Sequence, residues 1–201
     1  ETSPTISRTL YAVGSNEVNI GTPIPGVEIK IVGSDGCEIM DGSPGELHVR
    51  GPNVMLGYFR QPELTEAVID KDGYLNTGDI GSVNSKQEMV VQGRTKELII
   101  RSGFNVYPPE IEAALNTHPA VLNSAVVGRS IEGNEEIVAF VEPVPGCHIE
   151  IDTLFALLDE QLARYKKPQK IIVMSQLPVA PNGKIRKNDL KKYAEALPSF
   201  A

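Results

Sequence analysis

No apolar run in this sequence approaches the roughly 18 residues that a membrane-spanning helix needs. No basic segment followed by an apolar stretch appears near its start, so no secretory signal is read. Cysteine is scarce, and Cys37 and Cys147 stand at no zinc or redox spacing. The histidines His48, His118 and His148 are far apart, and nothing matches a Ser-His-Asp or metal-ligand constellation. Internal repeats and low-complexity segments are absent as well. These absences exclude a membrane span, a disulfide scaffold and a zinc module. The expectation that remains is a cytoplasmic protein, at most peripheral to a membrane. What is present is globular: 41% hydrophobic and 22% charged residues over 201 positions. That composition excludes a disordered tail and fits one large domain or two small ones.

The formal net charge of −7 argues against nucleic-acid binding. Its distribution is uneven. From Arg164 to Ala201 nine basic residues face only Asp189 and Glu195, whereas the rest of the chain is strongly acidic. Such a segment suits a phosphate-bearing ligand, and it equally suits a solvated lysine-rich face.

Two regions differ in pattern. In the first, Val27, Ile29 and Ile31 alternate with polar residues before the turn residues Gly33-Ser34-Asp35-Gly36, which reads as a hairpin. Glu46–Arg50 and Met89–Val91 are further short strands, and residues 62–67 are a short helix. In the second, Pro108-Pro109 opens a helix with Ile111, Ala114 and Leu115 on one face. Ala125–Val127 and Ile137–Val141 read as an antiparallel pair joined by the polar connection 128–136. Asp152 is expected to cap a helix carrying Leu154, Leu157, Leu158, Leu162 and Tyr165, stopped by Pro168. Ile171–Met174 makes a third strand, and Leu190, Tyr193, Ala194 and Leu197 a last helix. The expected class is α+β: a β-rich part, then a small domain of three strands with flanking helices. The boundary is placed at residues 94 and 95, giving domains 1–94 and 95–201.

Three polar spots could carry chemistry. Tyr74–Asp79 contains a glycine beside a carboxylate, which can accept hydrogen bonds from a vicinal diol such as that of ribose; it can also be a turn with Asp79 as a local cap. Gly93–Glu97 lies where the pattern changes and suits a hinge or a charged linker, and Ser102–Asn105 follows as a small flexible loop. Asn182-Gly183 makes a tight turn presenting Lys184, a mobile point charge suited to phosphate or a developing oxyanion, or simply a basic turn before the last helix.

In order, these segments resemble the C-terminal part of the adenylate-forming superfamily of acyl-CoA synthetases, peptide-synthetase adenylation domains and luciferases. Glu1–Pro4 resembles the end of its YGxTE motif, residues 45–65 the next motif, and Tyr74–Asp79 the YxTGD motif. GRTKELIIRSGFNVYPPEIE at 93–112, LARYKKP at 162–168 and Asn182-Gly183-Lys184 complete the series. The resemblance covers nearly the whole chain. It implies a fatty-acid-type acid–thiol ligase that forms acyl-AMP from a carboxylic acid and ATP, then passes the acyl group to coenzyme A as the small domain rotates. It implies Asp79 and Arg94 at the nucleotide, Lys184 as the catalytic cation, Lys96 at the hinge, and Ser102 and Gly103 at the CoA tunnel. Glu1 would help hold Mg2+ in the intact enzyme. The abrupt start at Glu1 reads as a cut within a larger domain, and the family's Ser/Thr/Gly-rich phosphate loop and acyl pocket have no counterpart here. The expectation is therefore a piece that does not adenylate by itself and exposes apolar surface prone to self-association. An adenylation domain, an aryl-CoA ligase and a non-catalytic lid or interaction domain are the alternatives.

Overall fold

The computed structural model describes residues 1–9 and 19–198. The chain forms two compact units, Glu1–Lys96 and Glu97–Ala201, and its class is α+β. The first unit holds β1 (Ser7–Arg8), β2 (Thr22–Pro23), β3 (Glu28–Val32), β4 (Gly45–Arg50), α1 (Pro62–Glu66), β5 (Leu75–Val83) and β6 (Met89–Arg94). The second holds β7 (Ile99–Arg101), β8 (Phe104–Val106), α2 (Pro108–Leu115), β9 (Val121–Ile131), β10 (Asn134–Pro143), α3 (Ile151–Gln161), β11 (Lys170–Val173) and α4 (Lys187–Glu195).

In the first unit β3, β4, β5 and β6 form one antiparallel sheet in sequence order. Alternation puts Val27, Ile31, Leu47, Val49 and Met89 into one buried cluster. The sequence pattern does not reveal β5, because Gly78, Asp79 and Gly81 interrupt its alternation. Those residues mark two irregularities in its pairing, one toward β4 and one toward β6. Gly81 allows the second: a Cβ there would stand 2.7 Å from the Val90 carbonyl oxygen.

The second unit is built on a sheet of order β11-β10-β9, with β9 and β10 antiparallel and β10 and β11 parallel. The run Ile137–Val141 is apolar throughout because both faces of β10 are covered. Ile137, Ala139 and Val141 pack with Ile111 and Leu115 of α2 and with Leu154 and Leu158 of α3. Val138 and Phe140 face the other way, onto Leu177, Leu190 and Ala194.

Several local expectations are corrected. The connection between β9 and β10 is only Glu132-Gly133, with Gly133 at φ +69°, since polar residues continue the ladder beyond the buried part. Glu150, not Asp152, is the N-cap of α3, and Asp152 lies in its first turn, where a carboxylate suits the helix dipole. That helix ends at Gln161, so Leu162 and Tyr165 reach the core from outside it, Tyr165 from a 3-10 turn at Arg164–Lys166. Leu197 lies beyond the end of α4. Ser102–Asn105 is no loose loop: Ser102 and Gly103, at φ +51° and +83°, form the tight two-residue turn between β7 and β8.

Replacing Gly81 with alanine would force β5 away from β6 and should lower the stability of the first unit by about 1–3 kcal/mol. Hydrogen exchange of the β5 and β6 amides would read this as faster opening. Unchanged protection would mean that the strand can accept a side chain there.

Candidate active site

The candidate site in the first unit is a backbone device. In the β4–β5 ladder Glu46 stands opposite Ile80 and His48 opposite Asn76, so Thr77, Gly78 and Asp79 together face only Leu47. Such a bulge re-aims side chains. Four side-chain bonds fix it. The Thr77 hydroxyl donates to the Leu47 carbonyl at 2.9 Å and accepts the Asp79 N–H at 3.1 Å. The Asn76 carboxamide oxygen accepts the Gly78 N–H at 2.8 Å, and its nitrogen donates to Glu46 Oε2 at 2.8 Å. Gly78 adopts φ +71°, which favours glycine.

The bulge sets Asp79 opposite Arg94 of β6. Arg94 Nε lies 2.8 Å from Asp79 Oδ1, and its Nη1 donates to the Thr77 carbonyl at 3.2 Å. Among the described residues Asp79 Oδ2 has no hydrogen-bond donor, and the carboxylate remains partly exposed. It can thus accept from a ligand hydroxyl while its other oxygen is held. Asp79 is a strand residue, not a turn cap.

Beside this pair a cleft of about 420 Å³ is lined by Glu1, Glu46, Asn76, Gly78, Arg94 and Lys96, among others. The Tyr58 hydroxyl donates to Glu1 Oε1, and the same contact raises the pKa of Tyr58. No group of three or more His, Cys, Asp or Glu side chains gathers as a metal cage among the described residues. His48, on the strand behind, is half-buried, and neither of its ring nitrogens has a hydrogen-bond partner among the described residues. Burial, assisted by Lys30, pushes its pKa down against the opposing pull of Glu46 and Asp70.

The second unit carries the other sequence candidates on separate loops. Lys184 follows Gly183, at φ +80°, in a hairpin closed by the Val179–Ile185 bridge. Its side chain is exposed and has no ion pair among the described residues. The Ser102 N–H donates to Asn134 Oδ1 at 2.7 Å, so the Ser102-Gly103 turn is anchored on the β9–β10 hairpin. Arg101, just before it, donates from Nη1 to the carbonyls of Tyr165 and Lys167 at 3.0 and 2.6 Å, while Phe104 stacks on Tyr165 at 4.8 Å. These contacts tie the turn to the LARYKKP segment. Much of the basic tail is paired: Lys166 with Glu110, Lys167 with Asp159, Arg186 with Asp189, and Lys187 with Glu97 and Glu112.

The structure therefore gathers Asp79 and Arg94, with Glu1 and Lys96 lining the neighbouring cleft. Lys184, Ser102 and Gly103 are distributed over the second unit. Sequence reasoning missed Thr77 and Asn76, although both stand inside the motif that it singled out. It also missed Arg101 and Lys187, which carry no local pattern of their own.

Comparison with known proteins decides the family. Residues 1–59 match the model of the AMP-binding enzyme, and residues 110–184 match that of the AMP-binding enzyme C-terminal domain. The chain belongs to the AMP-binding enzyme family. It is 40% identical to an indoleacetate–CoA ligase of Aromatoleum aromaticum over 86% of its own length and 34% of that enzyme. It is 37% identical to a long-chain-fatty-acid–CoA ligase of Escherichia coli over 96% of its length and 34% of that enzyme. ATP-bound MatB from Rhodopseudomonas palustris is similar in structure, with a TM-score of 0.81 and 36% identity over 89% of this chain and 36% of that one. The chain thus spans about a third of the length of the curated relatives it matches. Within this AMP-binding chain, the C-terminal match closes on Lys184 itself.

Changing Thr77 to valine keeps the shape but leaves the Leu47 carbonyl and the Asp79 N–H without their shared partner. The expected loss is about 1–3 kcal/mol in urea unfolding of the first unit. An unchanged midpoint would show that the bulge holds without the hydroxyl.

Proposed function

We propose that this chain is the C-terminal part of an ATP-dependent acid–CoA ligase, with residues 1–94 closing its large domain and 95–201 its mobile lid. The observation that carries the reading is the Asp79–Arg94 pair on its braced bulge: a fixed carboxylate, beside a cation, with one oxygen that has no donor among the described residues. That pair suits the ribose diol and the phosphates of one nucleotide. In the first step a carboxylate oxygen of the acid attacks the α-phosphorus of ATP, and the bond to pyrophosphate breaks. Lys184, exposed on its tight turn, supplies charge to the oxygens that become more negative in that transition state. In the second step the CoA thiol sulfur attacks the acyl carbon, loses its proton, and AMP leaves. Ser102 and Gly103 are the assigned lining of the pantetheine path, and Lys96 is the assigned hinge.

Magnesium fits the residues present only as a companion of the nucleotide. Glu1 is a lone carboxylate, which matches a cation that keeps its waters and substrate phosphates rather than an all-protein cage. When bound, it would neutralise phosphate charge. Glu1 would orient it, with Tyr58 holding one carboxylate oxygen.

The acid is assigned as a fatty acid, with a cytoplasmic enzyme as the setting. The LARYKKP segment, the hinge lysine and the likeness to the E. coli enzyme over nearly the whole chain support this. The indoleacetate–CoA ligase supports the aryl alternative. The full-length protein, assayed for AMP release with CoA across aliphatic and aryl acids, should turn over aliphatic acids best. A preference for aryl acids would overturn the fatty-acid assignment, and no AMP release with any acid would overturn the ligase.

In the full-length protein Lys184→Ala should lower ATP–pyrophosphate exchange about 10²–10³-fold while thioester formation from preformed acyl-AMP survives. Equal loss in both steps would remove Lys184 from its assigned role. Lys96→Pro should do the reverse, because proline restricts the joint and the residue before it. The 201-residue chain alone should give no exchange signal, since it contains no Ser/Thr/Gly-rich phosphate loop.

A further inference from the structure

We propose that Lys187 is a positioning residue for Lys184, acting through a half-buried clamp on Glu97 and Glu112. This rests on the reading of Lys184 given above and adds the device that would aim it. Lys187 Nζ lies 2.8 Å from Glu97 Oε2 and 2.8 Å from Glu112 Oε1, and all three side chains are largely shielded from water. Glu112 Oε1 also accepts the Val126 N–H at 2.8 Å, which fixes the carboxylate to β9. The clamp therefore joins the first residue of α4 to α2, to β9 and to the residue that opens the second unit.

The placement runs against local preference. A cation in the first turn of a helix opposes the helix dipole, and burying an ammonium is costly. Desolvation pulls the Lys187 pKa down, yet the two carboxylates outweigh it and hold the pKa above the usual lysine value. Removing one member would leave a partly desolvated charge without its partner.

The geometry connects this clamp to Lys184. Only Ile185 and Arg186 separate them, and the backbone between is pinned on both sides. Ile185 packs against the apolar cluster of Leu177, Leu190 and Phe140. The Arg186 N–H donates to the Pro178 carbonyl at 2.8 Å, and the Ala180 N–H to the Lys184 carbonyl at 2.8 Å. Lys184 is thus an exposed residue just after the turn of a hairpin whose base is seated by an apolar residue and a half-buried cation. Exposed lysines have many rotamers, so the direction of this one depends on the hairpin's base.

A double-mutant cycle in the full-length protein tests this. Lys187→Met should lower ATP–pyrophosphate exchange by about 10- to 100-fold with little change in the KM for ATP, and Lys187→Arg should retain most of it. In the Lys184→Ala background the same Lys187→Met change should cost less than about twofold, because the aimed group is already gone. Equal losses in both backgrounds would make Lys187 merely structural and overturn the proposal, as would no loss at all. Should Lys187→Met not fold, Glu97→Gln, which keeps the Glu112 contact, should give the same background dependence at smaller size. A readout independent of activity uses amide exchange in the same full-length protein. With Glu97→Gln or Lys187→Met, the amides of Ala180, Gly183 and Arg186 should exchange about tenfold faster while those of β9 and β10 keep their protection. Uniform acceleration or none would overturn the clamp. Absence of exchange activity in the wild-type enzyme would instead sink the ligase reading and leave the amide measurement to decide.

Discussion

The Thr77 hydroxyl, bonded at once to the Leu47 carbonyl and the Asp79 N–H, is the contact on which the candidate site depends. A sheet would otherwise continue through Thr77–Asp79 with alternating side chains. The extra residues are tolerated because their backbone groups find side-chain partners in Thr77 and Asn76, and because Gly78 accepts a positive φ. The result is a carboxylate displaced from the regular pleat and locked to the neighbouring strand by Arg94. A strand supports such a group more rigidly than a loop can, which is what recognition of a nucleotide hydroxyl pair requires.

The second unit solves a related problem with a different device. Its core needs no special chemistry: β10 is covered on both faces, and single residues such as Phe140 are each worth about 1.5–3 kcal/mol of burial. Its functional candidates sit on tight turns at the edge of that core. The Ser102-Gly103 turn is held by Asn134, and Arg101 binds the chain around Tyr165. The Lys184 turn is held by Ile185 and the Lys187 clamp. In both units exposed chemistry is braced by polar contacts that themselves reach into buried structure.

Much of this was legible beforehand. The alternation of Val27 to Ile31 and the unbroken run Ile137–Val141 reported strands, and Pro108-Pro109 opened a helix where proline tolerates the first turn. Asp79, Arg94 and Lys184 stood out through motif order, and the family match supports the resemblance on which they were chosen. Other features were hidden for physical reasons. β5 carries two glycines and an aspartate because it is irregular, so its pattern does not look like a strand. Asp152 looked like a cap, but the backbone turns into the helix at Glu150. Lys187 is one lysine among several nearby, and only the fold brings Glu97 and Glu112 to it from 90 and 75 residues away.

The central claim is that the braced Asp79 carboxylate reads the hydroxyls of a nucleotide ribose. Its direct measurement compares the KM for ATP with those for its 2′-deoxy and 3′-deoxy analogues, in the full-length protein and its Asp79→Ala variant. The account predicts a penalty of roughly tenfold or more for the missing hydroxyl in the wild type, and little or none in the variant. The same penalty in both proteins would contradict it.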